Sequence, residues 1–362
     1  MSPGRIVKHY NRHDHLDHAR LMGYKYGVHE THSNHSLTKS PVCQLLAMST
    51  NTHSISTFDG GVLASIRQSI ADFLRRCGLK YMDVTIDEAY HSECYQEAIN
   101  RGFPMDGEYS IREYMDVGVA MASNAYTHLP DAARMWMCLF TAIATRIDDK
   151  VVRGEDMMDV YHFNERFVSC QPQGDPILNA LDVILREIAS LHSPLVSSLI
   201  TVSTLNFMCA NCLDFETQDM QISPKTPLYP EYSRLLGGLV DGYVLFIFPS
   251  MLPTPDYIQC MPDLRTVVNH TNDILSYYKE EMEGDNANYL SLMAASRTST
   301  KQDALCELIE KTVQAHHNIL ECLRPGSEAR DAYISFFEGY VKFHVALKRY
   351  KLKDIMAEMS SY

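Results

Sequence analysis

Asn272-Asp273-Ile274-Leu275-Ser276-Tyr277-Tyr278-Lys279-Glu280 is the stretch from which the fold is read. Asn272, Ser276 and Glu280 recur every four residues, so on an α-helix they line one face across two turns. An amide oxygen, a hydroxyl and a carboxylate are hard oxygen donors, matched to Mg2+ and not to a soft metal. Lys279 flanks the stripe, within reach of an anion that such a metal would hold. A solvated polar face with a Glu–Lys pattern is the plainer alternative. It accounts for Lys279 and Glu280, and poorly for an Asn and a Ser in register on a helix otherwise rich in apolar residues.

Outward from this helix, the pattern is helix after helix. From about Gly61, apolar residues recur at spacings of three and four, separated by short clusters with proline or glycine. Pro130 and Pro194 are expected in the first turns of helices, behind capping positions. Ile200 to Phe215 continues the second of these helices, while Thr217–Leu228 and Pro249–Pro262 read as loops. A last long helix is expected from Glu328 to about Met359, with Tyr333, Phe336, Phe337, Tyr340, Phe343, His344 and Leu347 on a broad apolar stripe. The first 58 residues differ, because half of the sixteen histidines fall before residue 54 among Ser, Thr and Asn. We expect a weakly ordered extension over 1–58 and one large all-α domain over 59–362, although length alone would suggest about two domains. His13, His15 and His18 lack an acidic or Cys framework for a metal, so a solvated tail is the favoured assignment.

A second acidic feature follows Met135–Ile147, an almost wholly apolar run that ends at Asp148 and Asp149. Trp136, Phe140, Ala144 and Asp148 are spaced by four, which puts the single tryptophan on the face of the first carboxylate. Adjacent carboxylates repel unless a cation compensates; pairing with Arg146 or Lys150 at a helix end is the alternative. Arg234 lies one turn before Gly237-Gly238, with Gly242 following, in a segment that otherwise reads as buried helix. These glycines suit either a helix break or close helix–helix packing. Trp136, Phe140, Phe207, Tyr243 and Phe246 are candidates for an aromatic cavity wall, with ordinary core packing as their plainer role.

Composition excludes other classes. The chain of 362 residues carries 32 Lys and Arg against 45 Asp and Glu, a formal charge of −13, which argues against binding nucleic acid or anionic lipid. No apolar run approaches the roughly 20 residues of a membrane helix; Leu235–Leu252, the nearest, is broken by Asp241, glycines and a proline. The polar N-terminus and ten scattered cysteines predict a cytoplasmic protein with reduced thiols. Cys209 and Cys212 form an isolated CxxC in an apolar helical stretch, and His344 reads as a packed core histidine. No GxSxG, P-loop or GxGxxG context supports nucleophilic hydrolysis or nucleotide binding.

The 272–280 motif, Tyr-Pro-Glu-Tyr-Ser-Arg-Leu-Leu-Gly-Gly-Leu from Tyr229, and Gly-Tyr-Val-Lys-Phe-His-Val-Ala-Leu-Lys-Arg-Tyr-Lys-Leu from Gly339 resemble the fungal class I terpene cyclases of the trichodiene synthase-like family. The likeness runs from about residue 65 to 358. It implies an all-α class I terpenoid synthase bundle of roughly ten to twelve helices around a deep apolar cavity. It further implies Mg2+, three ions with Mn2+ as a substitute, and a prenyl diphosphate substrate, farnesyl diphosphate in this family. By the resemblance Asp148, Asn272, Ser276 and Glu280 are metal ligands, Asp149 supports Asp148, and Arg234, Lys279, Arg349 and Tyr350 contact diphosphate. Arg349 is expected to pair with the aspartate motif on closure, and homodimerisation is implied. One departure stands out: the family's further acid four residues after the first is Val152 here, with Glu155 and Asp156 only beyond Gly154. A chain-elongating prenyltransferase would need two full aspartate-rich motifs. A catalytically inactive prenyl-diphosphate-binding paralogue is favoured by Val152 and opposed by the intact 272–280 set.

Overall fold

Helices α1 (Gly60–Arg76) and α2 (Glu88–Asn100) open a computed structural model that describes residues 60–79, 84–286, 288–353 and 355. The stretch 1–58, with His13, His15 and His18, lies outside the described residues. The chain divides into Met1–Ser36 and Leu37–Tyr362, and every described element belongs to the second unit. Thirteen α-helices and no strand occur among the described residues, slightly more helices than the roughly ten to twelve expected.

Helix α3 (Met115–Ala120) runs into a π turn, Met121–Ala125, and then α4 (Asp131–Arg153). Residues Trp136 to Val151 of α4 are all buried, so this helix is enclosed on every side by α2, α3, the π turn, α6 (Pro176–Glu187) and α7 (Pro194–Glu216). Burial of each large apolar side chain along it contributes about 1.5–3 kcal/mol. Gly154 stops α4 in the left-handed region (φ 65°), where glycine carries no Cβ penalty. Pro130 is not in the first turn, as expected, but occupies the capping position itself. Its extended ψ of 151° turns its carbonyl to accept from Ala133 N and Arg134 N. Pro194 does open α7, behind Ser193, whose hydroxyl accepts from Val196 N at 3.4 Å. By length and composition α7 is apolar enough to cross a bilayer, so α7, and not Leu235–Leu252, is the nearest to a membrane helix among the described residues. It lies against α5 (Met158–Val168), α4, α8 (Tyr229–Gly237) and α9 (Val240–Leu245), so much of its apolar surface is core.

Both alternatives for the glycine segment hold. The helix breaks between α8 and α9, where Leu239 adopts φ 50° and ψ 19°. Gly238 is also a close contact, since a Cβ there would sit 2.6 Å from Asn269 Oδ1 and 2.9 Å from Arg234 O.

Helix α10 (Met261–Met282) packs on α1, α9, α11 (Tyr289–Arg297), α12 (Lys301–Cys322) and α13 (Glu328–Ala346). α13 crosses the π turn so closely that a Cβ on Gly339 would lie 2.0 Å from Asn124 O. The expected long final helix ends at Ala346. Leu347 is extended, a single turn follows at Lys348–Tyr350, and Lys351 is left-handed (φ 55°). Folding back at this point buries Leu347, Tyr350, Leu352 and Ile355 together, which a straight helix would not do.

Candidate active site

The face predicted on 272–280 exists on α10, and its whole polar set is buried: Asn272, Asp273, Ser276, Lys279 and Glu280. Glu280 Oε1 has no hydrogen-bond partner, and its nearest cation, Lys279 Nζ, stands 4.0 Å away. Burial pushes the Glu280 carboxyl up to about 7, with Lys279 pulling against it and Asp285 adding to it. Burial likewise lowers the Lys279 ammonium, assisted by Arg349.

Arg349 Nη2 donates to the Tyr350 hydroxyl at 2.9 Å. Its guanidinium lies 4.8 Å and Lys279 Nζ 5.8 Å from the centre of the Tyr350 ring. The turn at Lys348–Tyr350 therefore brings the terminal Arg-Tyr pair onto the Lys279 end of α10. A cavity of about 590 Å³ opens there, lined among others by Ile86, Val117, Lys279, Glu283, Leu347 and Arg349. That volume suits a small-molecule ligand.

Arg234 is buried at the other end of the stripe. Its Nη2 reaches Asp273 Oδ1 at 2.9 Å, its Nε donates to both Asp273 oxygens at 3.0 and 3.1 Å, and Nη2 also donates to Asn269 O at 3.2 Å. Nη1 is left without a partner. Asp273 is a further buried charge on this helix beyond the predicted stripe, and its place directly after Asn272 is the one signal of it in the sequence. His344 was set aside as core; it is buried, but its Nε2 lies 3.1 Å from Asn272 Nδ2.

On α4, Asp148 and Asp149 are both buried. Asp149 accepts from the Tyr114 hydroxyl at 2.6 Å and from Arg153 Nε at 2.7 Å, contacts that hold it beside Asp148. Glu155 bonds Arg146 Nη2 at 2.8 Å, and Asp156 accepts from Met158 N at 2.9 Å, so both are engaged locally. Val152 packs against the core where another acid was sought. Burial raises the Tyr243 hydroxyl, with the Thr141 side chain pulling against it and Asp148 adding to it.

Three of the five aromatic candidates form one stack, and Tyr243 lies tilted beside it. Trp136 lies 4.4 Å from Phe140 and 4.6 Å from Phe246, and Phe140 6.1 Å from Tyr243, measured between ring centres. Trp136 Nε1 donates to Ile184 O at 2.7 Å. Phe207 is buried on α7, and none of the five lines the cavity beside Lys279.

Among the described residues no group of three or more His, Cys, Asp and Glu side chains gathers to hold a metal. The α10 donor set nonetheless fits Mg2+, because two of its three donors are an amide and a hydroxyl, and its carboxylate is buried with an unpartnered oxygen.

A helical bundle with a buried Asn/Ser/Glu stripe and a basic cluster over its end is the class I terpenoid synthase fold. The linalool/nerolidol synthase from Streptomyces clavuligerus shares it, with a TM-score of 0.55 and 13% identity over 73% of this chain and 98% of that one. Its complex with 2-fluorogeranyl diphosphate aligns at a TM-score of 0.54, 12% identity, and 76% and 97% coverage. The chain belongs to the trichodiene synthase (TRI5) family, whose model matches residues 95–361, and it is a terpene synthase. Its relatives include alpha-cuprenene synthase COP6 of Coprinopsis cinerea, 33% identical over 80% of this chain and 90% of that protein. Terpene synthase BipA of Cochliobolus sativus is 31% identical over 73% and 82%. The family expected from the 272–280, Tyr229 and Gly339 segments is thus the family found.

Proposed function

We propose that the chain is a sesquiterpene cyclase that ionises farnesyl diphosphate and closes the allylic cation into a cyclic C15 hydrocarbon or alcohol, releasing diphosphate. The observation that carries this reading is the buried stripe of Asn272, Ser276 and Glu280 ending against Lys279, Arg349 and Tyr350. Such a site supplies hard oxygen donors and fixed positive charge next to one another, which is what a departing diphosphate needs.

Asp148, Asn272, Ser276 and Glu280 would hold Mg2+, which when bound supplies Lewis-acid stabilisation of the leaving group. Lys279 and Arg349 neutralise the charge that grows on diphosphate, and Tyr350 donates to it. Arg234, with Nη1 unpartnered and its other nitrogens tied to Asp273 and Asn269, offers a donor already oriented for an anion. Asp149 keeps Asp148 in place through Tyr114 and Arg153. Trp136, Phe140, Tyr243 and Phe246 would favour a cation brought against their faces, and exclusion of water would keep that cation from being quenched. The likeness to a synthase solved with a geranyl diphosphate analogue supports a prenyl diphosphate as the substrate class. Incubation of purified protein with farnesyl diphosphate, with and without Mg2+, followed by gas chromatography–mass spectrometry, tests the reading. A Mg2+-dependent cyclic C15 product is expected; linear alcohols alone, or no product, would overturn it.

A further inference from the structure

Asn272 is the one donor in the α10 stripe whose two ends differ. Its oxygen can bind a cation and its nitrogen, with the lone pair delocalised into the amide, cannot. Something must therefore set which way the amide faces, and the hydrogen bonds around it do so from a fixed point. On α13 His344 lies fully buried, with Nδ1 2.7 Å from the carbonyl oxygen of Tyr340. A carbonyl only accepts, so Nδ1 carries the proton, and full burial disfavours the charge a second proton would bring, which leaves Nε2 as an acceptor. Nε2 lies 3.1 Å from Asn272, and the only amide atom able to serve an acceptor is Nδ2. The amide oxygen is thereby turned away from α13, toward Arg234 Nη2 at 3.5 Å, a donor that tolerates only the oxygen. The ring is clamped as well as hydrogen-bonded: Tyr340 stands edge-on at 4.7 Å and Tyr350 at 4.8 Å between centres.

We propose that His344 is a positioning residue, which by accepting from the Asn272 amide holds the amide oxygen in the orientation that a metal ligand requires. This rests on the assignment of Asn272 as a ligand under the proposed function. It extends the site to α13 and gives His344 a role through Asn272, with no contact to substrate. Partners that orient a ligand in this way change metal affinity by about 10- to 100-fold when removed.

The test follows melting temperature of the full chain as Mg2+ is titrated in a fixed excess of inorganic diphosphate. His344→Phe should raise the Mg2+ midpoint by about 10- to 100-fold, and His344→Gln, whose carboxamide oxygen can accept, should bring it back toward the wild type. In an Asn272→Asp background both ends of the side chain are oxygen, so His344→Phe should shift the midpoint little. An unchanged midpoint for His344→Phe, or the same shift in both backgrounds, would overturn the positioning role and leave the metal reading intact. A wild type that gains no stability from Mg2+ with diphosphate overturns both. Should His344→Phe not fold, 15N spectra of the wild-type imidazole decide the matter. A protonated Nδ1 with a bare, hydrogen-bonded Nε2 is expected, and an Nε2–H tautomer would overturn the proposal.

Discussion

Arg234 and Asp273 meet in a fully buried ion pair, Nη2 to Oδ1 at 2.9 Å, one residue away from the first member of the predicted metal stripe. The residue expected to sense diphosphate is thus already held by a carboxylate of α10, and its unpartnered Nη1 is what remains for an incoming anion. Removal of one member leaves an uncompensated buried charge. Asp273→Ala should cost about 3–5 kcal/mol in urea unfolding. Arg234→Met combined with Asp273→Leu should recover most of that loss while abolishing turnover, because the apolar pair needs no charge balance but no longer offers a donor.

The oxygen donors of α10 predict a different separation of activity from stability. Asn272→Ala with Ser276→Ala should eliminate product formation from farnesyl diphosphate. The double variant should lose no more than about 1–3 kcal/mol, chiefly because His344 Nε2 is left without a donor. Product yield by gas chromatography and a urea midpoint on the same preparation check both halves. Chelation of divalent ions with EDTA should likewise stop the wild-type reaction, and added Mg2+ restore it.

Glycine substitutions should divide sharply by place. Gly339→Ala puts a Cβ 2.0 Å from the Asn124 carbonyl, a backbone atom that cannot swing aside, and should destabilise by about 1–3 kcal/mol. At Gly242 the nearest atom to a Cβ is a Leu239 side-chain carbon at 3.7 Å, and the position is helical. Gly242→Ala should therefore raise the melting temperature, in line with about 0.5–1 kcal/mol for Gly against Ala in a helix.

Two histidines remote from the stripe, His316 buried and His192 half-buried, predict how stability changes with acid. Burial lowers His192 and His316 to about 4 each. An unfolded chain takes up their protons near the ordinary value of 6.5, whereas the folded protein does so only near 4. The unfolded state therefore binds more protons in that window, and stability falls as pH drops from 6.5 toward 4. His192→Phe and His316→Phe should each flatten this part of the melting-temperature profile. A slope unchanged in both variants would place the acid sensitivity elsewhere.

The spacing of Asn272, Ser276 and Glu280 was legible because helical period and chemistry coincide within nine residues, and the same holds for the cap before Pro194 at Ser193. Partners far apart in the chain were not legible. Nothing local to Arg234 points to Asp273, and nothing local to Asp149 points to Tyr114. The end of the last helix was hidden for another reason: the apolar stripe of α13 continues through Leu347, Tyr350 and Leu352, and only the extended Leu347 and left-handed Lys351 show that those residues are buried by a reversal. At Leu239 a non-glycine residue takes the left-handed conformation next to two glycines, so composition marked the region of the break without marking its residue.

Gly339 also acts as a mechanical key. A helix advances about 5.4 Å per turn and repeats its face every three to four residues, so a slide of α13 by one turn in either direction would carry Phe336 or Phe343 against the Asn124 carbonyl. That notch has room for neither side chain, which leaves α13 locked in height against the π turn. His344, little more than a turn further along, inherits the same fixed level. A piston stroke of α13 is thereby blocked by the Asn124 carbonyl. The turn that carries Arg349 and Tyr350 starts directly from the end of α13, so the level of that helix also sets theirs.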